Sequence, residues 1–150
     1  MSAIDFYYDV VCPYAYLASV QVEAVARRCG ATVRWRPILL GGLLRAVGAP
    51  DDPNAALGPA KRALLRRDRA RWAALLGVPL HEPAQHPRRT VDAMRLCLAA
   101  PEGPVRQAVS RELFEAYWVR GQDVADRAEL AAVARRHGLA GDAFAAAPVR

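Results

Sequence analysis

Asp9-Val10-Val11-Cys12-Pro13-Tyr14-Ala15-Tyr16-Leu17-Ala18 is the most informative stretch of this 150-residue chain. Ile4 to Val11, which leads into it, is a short, largely apolar, β-prone run, read as a strand buried on both faces. Pro13 stops that run and suits the first position of a helix, with Cys12 as the cap. From Pro13 to Cys29 apolar residues recur at helical spacing, as in Leu17, Val20, Ala24 and Val25, and Gly30 suits the position just past the end. Thr32 to Trp35 is strand-like again, and Pro37 ends it. Strand, helix, strand within one short segment predicts two parallel strands with a right-handed crossover.

Cys12 is the first candidate for chemistry. At a helix N-terminus, unpaired N–H groups and the positive end of the dipole favour thiolate over thiol, so a depressed pKa is expected. In open α/β sheets, ligands bind beyond the carboxyl ends of the strands, which is where Cys12 falls. The bland alternative is a small apolar residue plugging a strand–helix junction. A dithiol site would read Cys-x-x-Cys, and here Ala15 stands in the second place. Cys29 is about 25 Å along the same predicted helix at about 1.5 Å per residue, too far for a disulfide. Cys97, among Met94, Leu96 and Leu98, reads as core. What remains is one activated thiol, or a thiol that positions another.

The rest of the chain predicts helices. Ile38 to Gly42 opens a short helix ending at Gly48, and a turn-rich loop runs to Gly58. Pro59 to Leu76 is a helix closed by Gly77, with Leu65, Trp72 and Leu76 as its expected buried stripe. Thr90 is positioned to cap a helix to about Ala100, and Pro104 opens another to about Arg120. Asp126 with Glu129 reads as a capping box, and Asp142 to Ala147 is weakly helical.

Composition narrows the classes. Hydrophobic residues make up 53% and charged residues 24%, which excludes disorder. No apolar run is long enough to span a membrane, and the N-terminus has no signal-peptide pattern. An odd count of three cysteines argues against a disulfide framework and for a reduced, cytoplasmic setting. The net charge of +6 comes from 20 Arg and one Lys, so Lys61 stands out. The helix carrying Lys61, Arg62, Arg66, Arg67, Arg69 and Arg71 reads as a solvated face. It lacks the interleaved aromatics of a nucleic-acid surface, so no nucleic-acid partner is expected. His81, His86 and His137 show no metal spacing with the cysteines, and no metal is expected. Tyr14, Tyr16, Tyr117 and Trp118 fit either an aromatic substrate cleft or the core.

The run Phe6 to Ala18 resembles the opening of 2-hydroxychromene-2-carboxylate isomerases and kappa-class glutathione transferases, in the DsbA-like branch of the thioredoxin fold. Further matches follow in order. They are Arg36 to Gly42, Pro59-Ala60-Lys61, Asp68 with Arg71-Trp72-Ala73, and Gly77-Val78-Pro79. Pro87 with Thr90 and Ala93-Met94-Arg95 follow, then Ala116 to Val119 with Gly121-Gln122-Asp123.

The resemblance implies a thioredoxin-like α/β fold, with an N-terminal βαβ part over residues 1–40 and an all-helical insertion over 41–150. It implies a glutathione-dependent enzyme acting on a small aromatic or conjugated substrate, whose glutathione thiol adds, allows bond rotation and leaves. It assigns glutathione contacts to Cys12, Pro13, Tyr14 and Lys61, with Asn54, or else Asp52, in the preceding loop. Cys12 occupies the family's usual serine position. A thiolate there would repel a glutathione thiolate or form a mixed disulfide, which keeps a monothiol redox role as the alternative. A third reading is a non-enzymatic basic helical binding module. The family's closing β-hairpin and final helix have no counterpart in the twelve residues after Gly138. The expectation is therefore an open sheet edge and a homodimer.

Overall fold

The computed structural model describes residues 2–50 and 52–145. Strand β1 (Ser2–Tyr8) and strand β2 (Ala31–Pro37) pair in parallel, in register from Ser2 opposite Ala31 to Tyr8 opposite Pro37. Helix α1 (Pro13–Arg28) makes the crossover between them. Then come α2 (Leu40–Ala46), α3 (Pro59–Leu76), α4 (Val91–Ala99), α5 (Pro104–Trp118) and α6 (Arg127–Arg136), with a 3-10 turn at Ala143–Ala145. Residues 146 and 147 of the predicted last helix lie outside the described residues.

Three expectations about these elements need correction. The first strand ends at Tyr8, and Asp9 to Val11 form a tight turn closed by the Cys12 N–H on the Asp9 carbonyl at 3.0 Å. Nor is β1 buried on both faces. Among the described residues its one neighbour is β2, and Tyr7 is 62% exposed while Phe6 and Tyr8 face inward. A two-strand sheet covered on one side gives period-two burial even from an apolar sequence. On α3, only Ala73 is buried; Leu65 and Leu76 are half-buried and Trp72 is 44% exposed. This helix packs chiefly on α1, so the face it covers is narrow.

Two caps also differ from the reading. Thr90 does stand at the N-cap of α4, but its side chain makes no capping bond there. Its hydroxyl donates instead to Asp9 Oδ2 at 3.0 Å. Asp126 caps α6 by accepting the Ala128 N–H at 2.8 Å. The reciprocal half of the box does not form, because the Asp126 N–H is taken by the Asp123 carbonyl.

The core joins the sheet to α1 and to α4, α5 and α6. Tyr8, Trp35, Met94, Leu96, Leu113, Phe114, Tyr117, Trp118 and Leu130 are all buried in it. Tyr8 meets Trp35 edge to face at 5.3 Å, and Phe6 meets Trp35 the same way at 5.0 Å, the arrangement that aromatic quadrupoles prefer. The polar ends of these rings are satisfied. The Tyr8 hydroxyl pairs with that of Ser110, Trp118 Nε1 donates to the Val10 carbonyl at 2.8 Å, and Tyr16 Oη donates to the Pro79 carbonyl at 2.9 Å.

Asp9, only 2% exposed, is the tie between these layers. Its Oδ1 accepts the Val11 N–H at 3.2 Å. Its Oδ2 accepts the Leu40 N–H at the start of α2 at 2.9 Å, and the Thr90 hydroxyl at the start of α4. Asp9→Ala leaves those buried donors without a partner. It is expected to lower the unfolding free energy by about 1–3 kcal/mol, read as a lower urea midpoint at unchanged slope. Burial raises the Asp9 pKa above the ordinary carboxylate value, so the native state holds this proton longer than the unfolded chain does. Its contribution to stability therefore falls as pH rises from the ordinary carboxylate value through the elevated one. The wild-type advantage over Asp9→Ala should shrink across that window.

Candidate active site

A cleft of about 690 Å3 opens at the carboxyl end of β1, within the range of small-molecule sites. Asp9, Cys12, Pro13 and Tyr14 form one side, and Leu40 and Leu44 of α2 another. Asp52 and Asn54 of the following loop, Arg69 of α3 and the segment from His86 to Val91 complete it. A smaller chamber of about 230 Å3 shares Tyr14, Asp52, Asn54, Arg69, His86 and Pro87, and adds Arg62 and Arg66 from α3.

Cys12 is the N-cap of α1 and half-buried, with extended backbone at φ −87° and ψ 115°. The site of the sulfur agrees with the sequence reading; its expected acidity does not. Burial pushes the Cys12 thiol above its ordinary pKa, and the nearby Asp9 carboxyl pushes the same way. The backbone N–H groups of Ala15 and Tyr14 and the Arg69 guanidinium favour the thiolate, but they offset only part of the desolvation. The sulfur makes no capping hydrogen bond of regular geometry. Cys12 is therefore a neutral thiol near pH 7.

The predicted contact residues divide. Cys12, Pro13, Tyr14 and Asn54 line the cleft together, and Asp52 lines it beside Asn54. The Asn54 N–H bonds Asp52 Oδ1 at 2.9 Å, which turns the loop so that both residues face the cavity. Lys61 is exposed on α3 and lines neither cavity; the cations that do so from this helix are Arg62, Arg66 and Arg69. Of the four aromatic candidates only Tyr14 reaches the cleft, while Tyr16, Tyr117 and Trp118 are core. Cys29 is exposed at the far end of α1, and Cys97 is fully buried, its thiol pushed up to about 11.

Several residues here escaped the sequence reading. Arg45, Arg69, Arg88 and Arg89 line the cleft against the acids Asp9 and Asp52. Arg69 pairs with Glu82 at 3.0 Å, and Arg88 forms a two-pronged pair with Asp123, its Nε on Oδ1 at 2.9 Å. His86 lines both cavities, and its Nδ1 lies 2.9 Å from the Tyr117 hydroxyl. Burial lowers the His86 pKa below the ordinary value, so the ring is neutral near pH 7. The one available signal was the Pro87 and Thr90 segment, which brings its neighbours to the cleft. No group of His, Cys, Asp and Glu among the described residues is arranged to hold a metal ion, and no helix is long and apolar enough to cross a membrane.

A parallel βαβ with a cysteine capping the crossover helix, and a cleft over that cysteine, defines a thioredoxin-type arrangement. The description of the DSBA-like thioredoxin domain matches residues 3–148, and the chain belongs to that family. It is 34% identical over 141 residues to 2-hydroxychromene-2-carboxylate isomerase of Sphingobium xenophagum, covering 94% of this chain and 71% of that protein. It is 28% identical to glutathione S-transferase kappa 1 of Caenorhabditis elegans, covering 91% of this chain and 62% of that one. A solved 2-hydroxychromene-2-carboxylate isomerase superposes with a TM-score of 0.80 at 28% identity, over 95% of this chain and 69% of that one. A putative protein disulfide isomerase from Nitrosomonas europaea shares the fold, with a TM-score of 0.62 at 18% identity.

Alkylation of Cys12 by iodoacetamide, followed peptide by peptide, should show a half-maximal rate above the ordinary cysteine value of about pH 8.5. Arg69→Ala should move it higher still. A midpoint below the ordinary value would show that the helix terminus outweighs burial.

Proposed function

We propose that this protein is a glutathione-dependent isomerase or transferase for a small aromatic or conjugated substrate, with Cys12 holding the glutathione sulfur. The observation that carries this reading is a half-buried Cys12 at the start of α1 in a cleft lined by four arginines, where burial favours the protonated thiol. A neutral S–H does not repel a glutathione thiolate; it donates a hydrogen bond to it, the part a serine hydroxyl plays at the family's usual residue. The thiol of glutathione, entering from solvent, keeps its own access to water and to the Arg69 field, so it is the sulfur that ionises. Pro13, Tyr14 and Asn54 would contact the tripeptide, and the arginines facing the cleft and its side chamber would meet its carboxylates. Lys61 joins them only if its long side chain reaches in from the rim.

The relatives named for an activity are isomerases and glutathione transferases, which supports an enzyme. Three unpaired cysteines support a reducing, cytoplasmic setting. A homodimer would cover Leu64 and Leu75, which are 59% and 74% exposed on the outer face of α3 beside Trp72. The monothiol redox alternative requires an acidic, accessible thiol, and burial of Cys12 disfavours it.

The test is turnover of 2-hydroxychromene-2-carboxylate with and without glutathione, followed by absorbance. Turnover should require glutathione, persist in Cys12→Ser, and fall in Cys12→Ala by about tenfold to a hundredfold, as for loss of one hydrogen bond to a charged group. Loss of all turnover in Cys12→Ser, together with a Cys12–glutathione disulfide accumulating in the wild type, would establish the redox role instead.

A further inference from the structure

We propose that His86 is a second catalytic residue of the Cys12 cleft, offering its Nε2–H to the substrate oxygen on which negative charge develops. This rests on the glutathione-dependent reading above. The argument begins at Tyr117, which is fully buried on α5. Its hydroxyl oxygen accepts the Arg88 backbone N–H at 3.2 Å. The hydroxyl proton is then free for another acceptor, and His86 Nδ1 at 2.9 Å is the one within reach. Burial holds the Tyr117 pKa up at about 12, so this proton stays in place. An Nδ1 that accepts leaves the ring proton on Nε2.

The rest of the ring is fixed as well. It packs on Trp118 at 5.2 Å and on Tyr117 at 5.9 Å between centroids. The His86 backbone N–H bonds the Pro83 carbonyl at 3.0 Å. Among the described residues Nε2 has no partner, while the side chain lines both the cleft and its side chamber. The charges nearby are engaged with one another: Arg69 with Glu82, and Arg88 with Asp123. The cleft thus contains an oriented neutral donor whose second nitrogen has its own supporting hydroxyl.

The chemistry balances without an oxidant or a reductant. The glutathione thiolate lone pair forms a sulfur–carbon bond at the far carbon of a conjugated carbonyl. The displaced π pair moves to the carbonyl oxygen, where the His86 Nε2–H hydrogen-bonds the resulting enolate. The former double bond is now single and turns. Collapse of the enolate restores both double bonds, breaks the sulfur–carbon bond and returns the thiolate. A donor aimed at developing oxyanion charge is worth roughly a hundredfold in kcat.

Two measurements test this. Nitrogen-15 NMR of histidine-labelled protein should show His86 protonated on Nε2 and bare on Nδ1, and Tyr117→Phe should populate the other tautomer. With 2-hydroxychromene-2-carboxylate and glutathione, His86→Ala should lower kcat about a hundredfold while glutathione affinity, by calorimetry, stays within about twofold. His86→Gln, which keeps an N–H donor, should recover part of the loss. Wild-type His86 protonated on Nδ1 overturns the proposal, as does a His86→Ala enzyme with unchanged kcat. Glutathione-dependent turnover in the wild type that is undiminished in His86→Ala overturns this role alone. No such turnover in the wild type overturns both this role and the function it rests on.

Discussion

The buried carboxyl of Asp9 is the constraint on which the cleft depends. It sits where β1 ends, and its two oxygens take donors from three places: the turn at Val11, the start of α2 at Leu40 and the cap of α4 at Thr90. A buried acid is costly unless every lone pair that matters has a donor, so the three segments are drawn to one point. That point is the back wall of the cleft. Because the Asp9 carbonyl also closes the turn onto the Cys12 N–H, the same residue fixes where the sulfur stands and where the opposite wall begins.

The price of this arrangement is paid by the thiol. Cys12 has the backbone N–H groups and the helix terminus that the sequence suggested, yet burial and the neighbouring Asp9 raise its pKa. A helix-end charge falls off within a turn and acts partly through solvent, whereas desolvation acts on the sulfur directly. Position on a helix could be read from Cys-Pro; the depth of burial could not. Depth depends on the tertiary fold around the end of β1, which no local pattern encodes.

The same distinction governs what else was legible. The βαβ unit, most helix boundaries and the Gly77 terminus, at φ 67°, follow from local chemistry: proline at first turns, glycine where left-handed backbone is needed, and helical spacing of apolar residues. Those rules concern neighbours in sequence. Asp9 carried no signal of its own within the Ile4 to Val11 run, and Thr90 read as an ordinary cap, because their partnership spans about 80 positions of chain. His86 carried no local pattern at all. It comes to line the cleft only when the loop before α4 folds back to Tyr117. Cys12 followed from its place at the helix start, whereas Asn54, which lines the cleft, came from the family resemblance, because resemblance encodes tertiary placement that periodicity lacks. It pointed to Lys61 as well, but α3 turns Arg62, Arg66 and Arg69 toward the cavities while Lys61 stays exposed.

The arginines show why the net charge alone said little. Arg34 and Arg36 are engaged by Asp5, Arg127 by Asp92 and Arg136 by Glu112, all at the surface, where such pairs contribute little. The positive field that matters is local. Among the described residues, Arg45, Arg69, Arg88 and Arg89 line the cleft with two acids, Asp52 and Asp9, the latter held neutral longer by burial, while Arg69 and Arg88 are paired with Glu82 and Asp123. Such a cleft stabilises one added negative charge. On the proposed function two sulfurs compete for it, and the half-buried one at Cys12 is handicapped by its own desolvation. On the proposed function, the negative charge then falls to the incoming thiol and the hydrogen-bonding proton to Cys12. On that same reading, a cysteine at the family's usual serine position keeps a hydrogen-bonding proton, because partial burial of the sulfur favours the thiol over the thiolate.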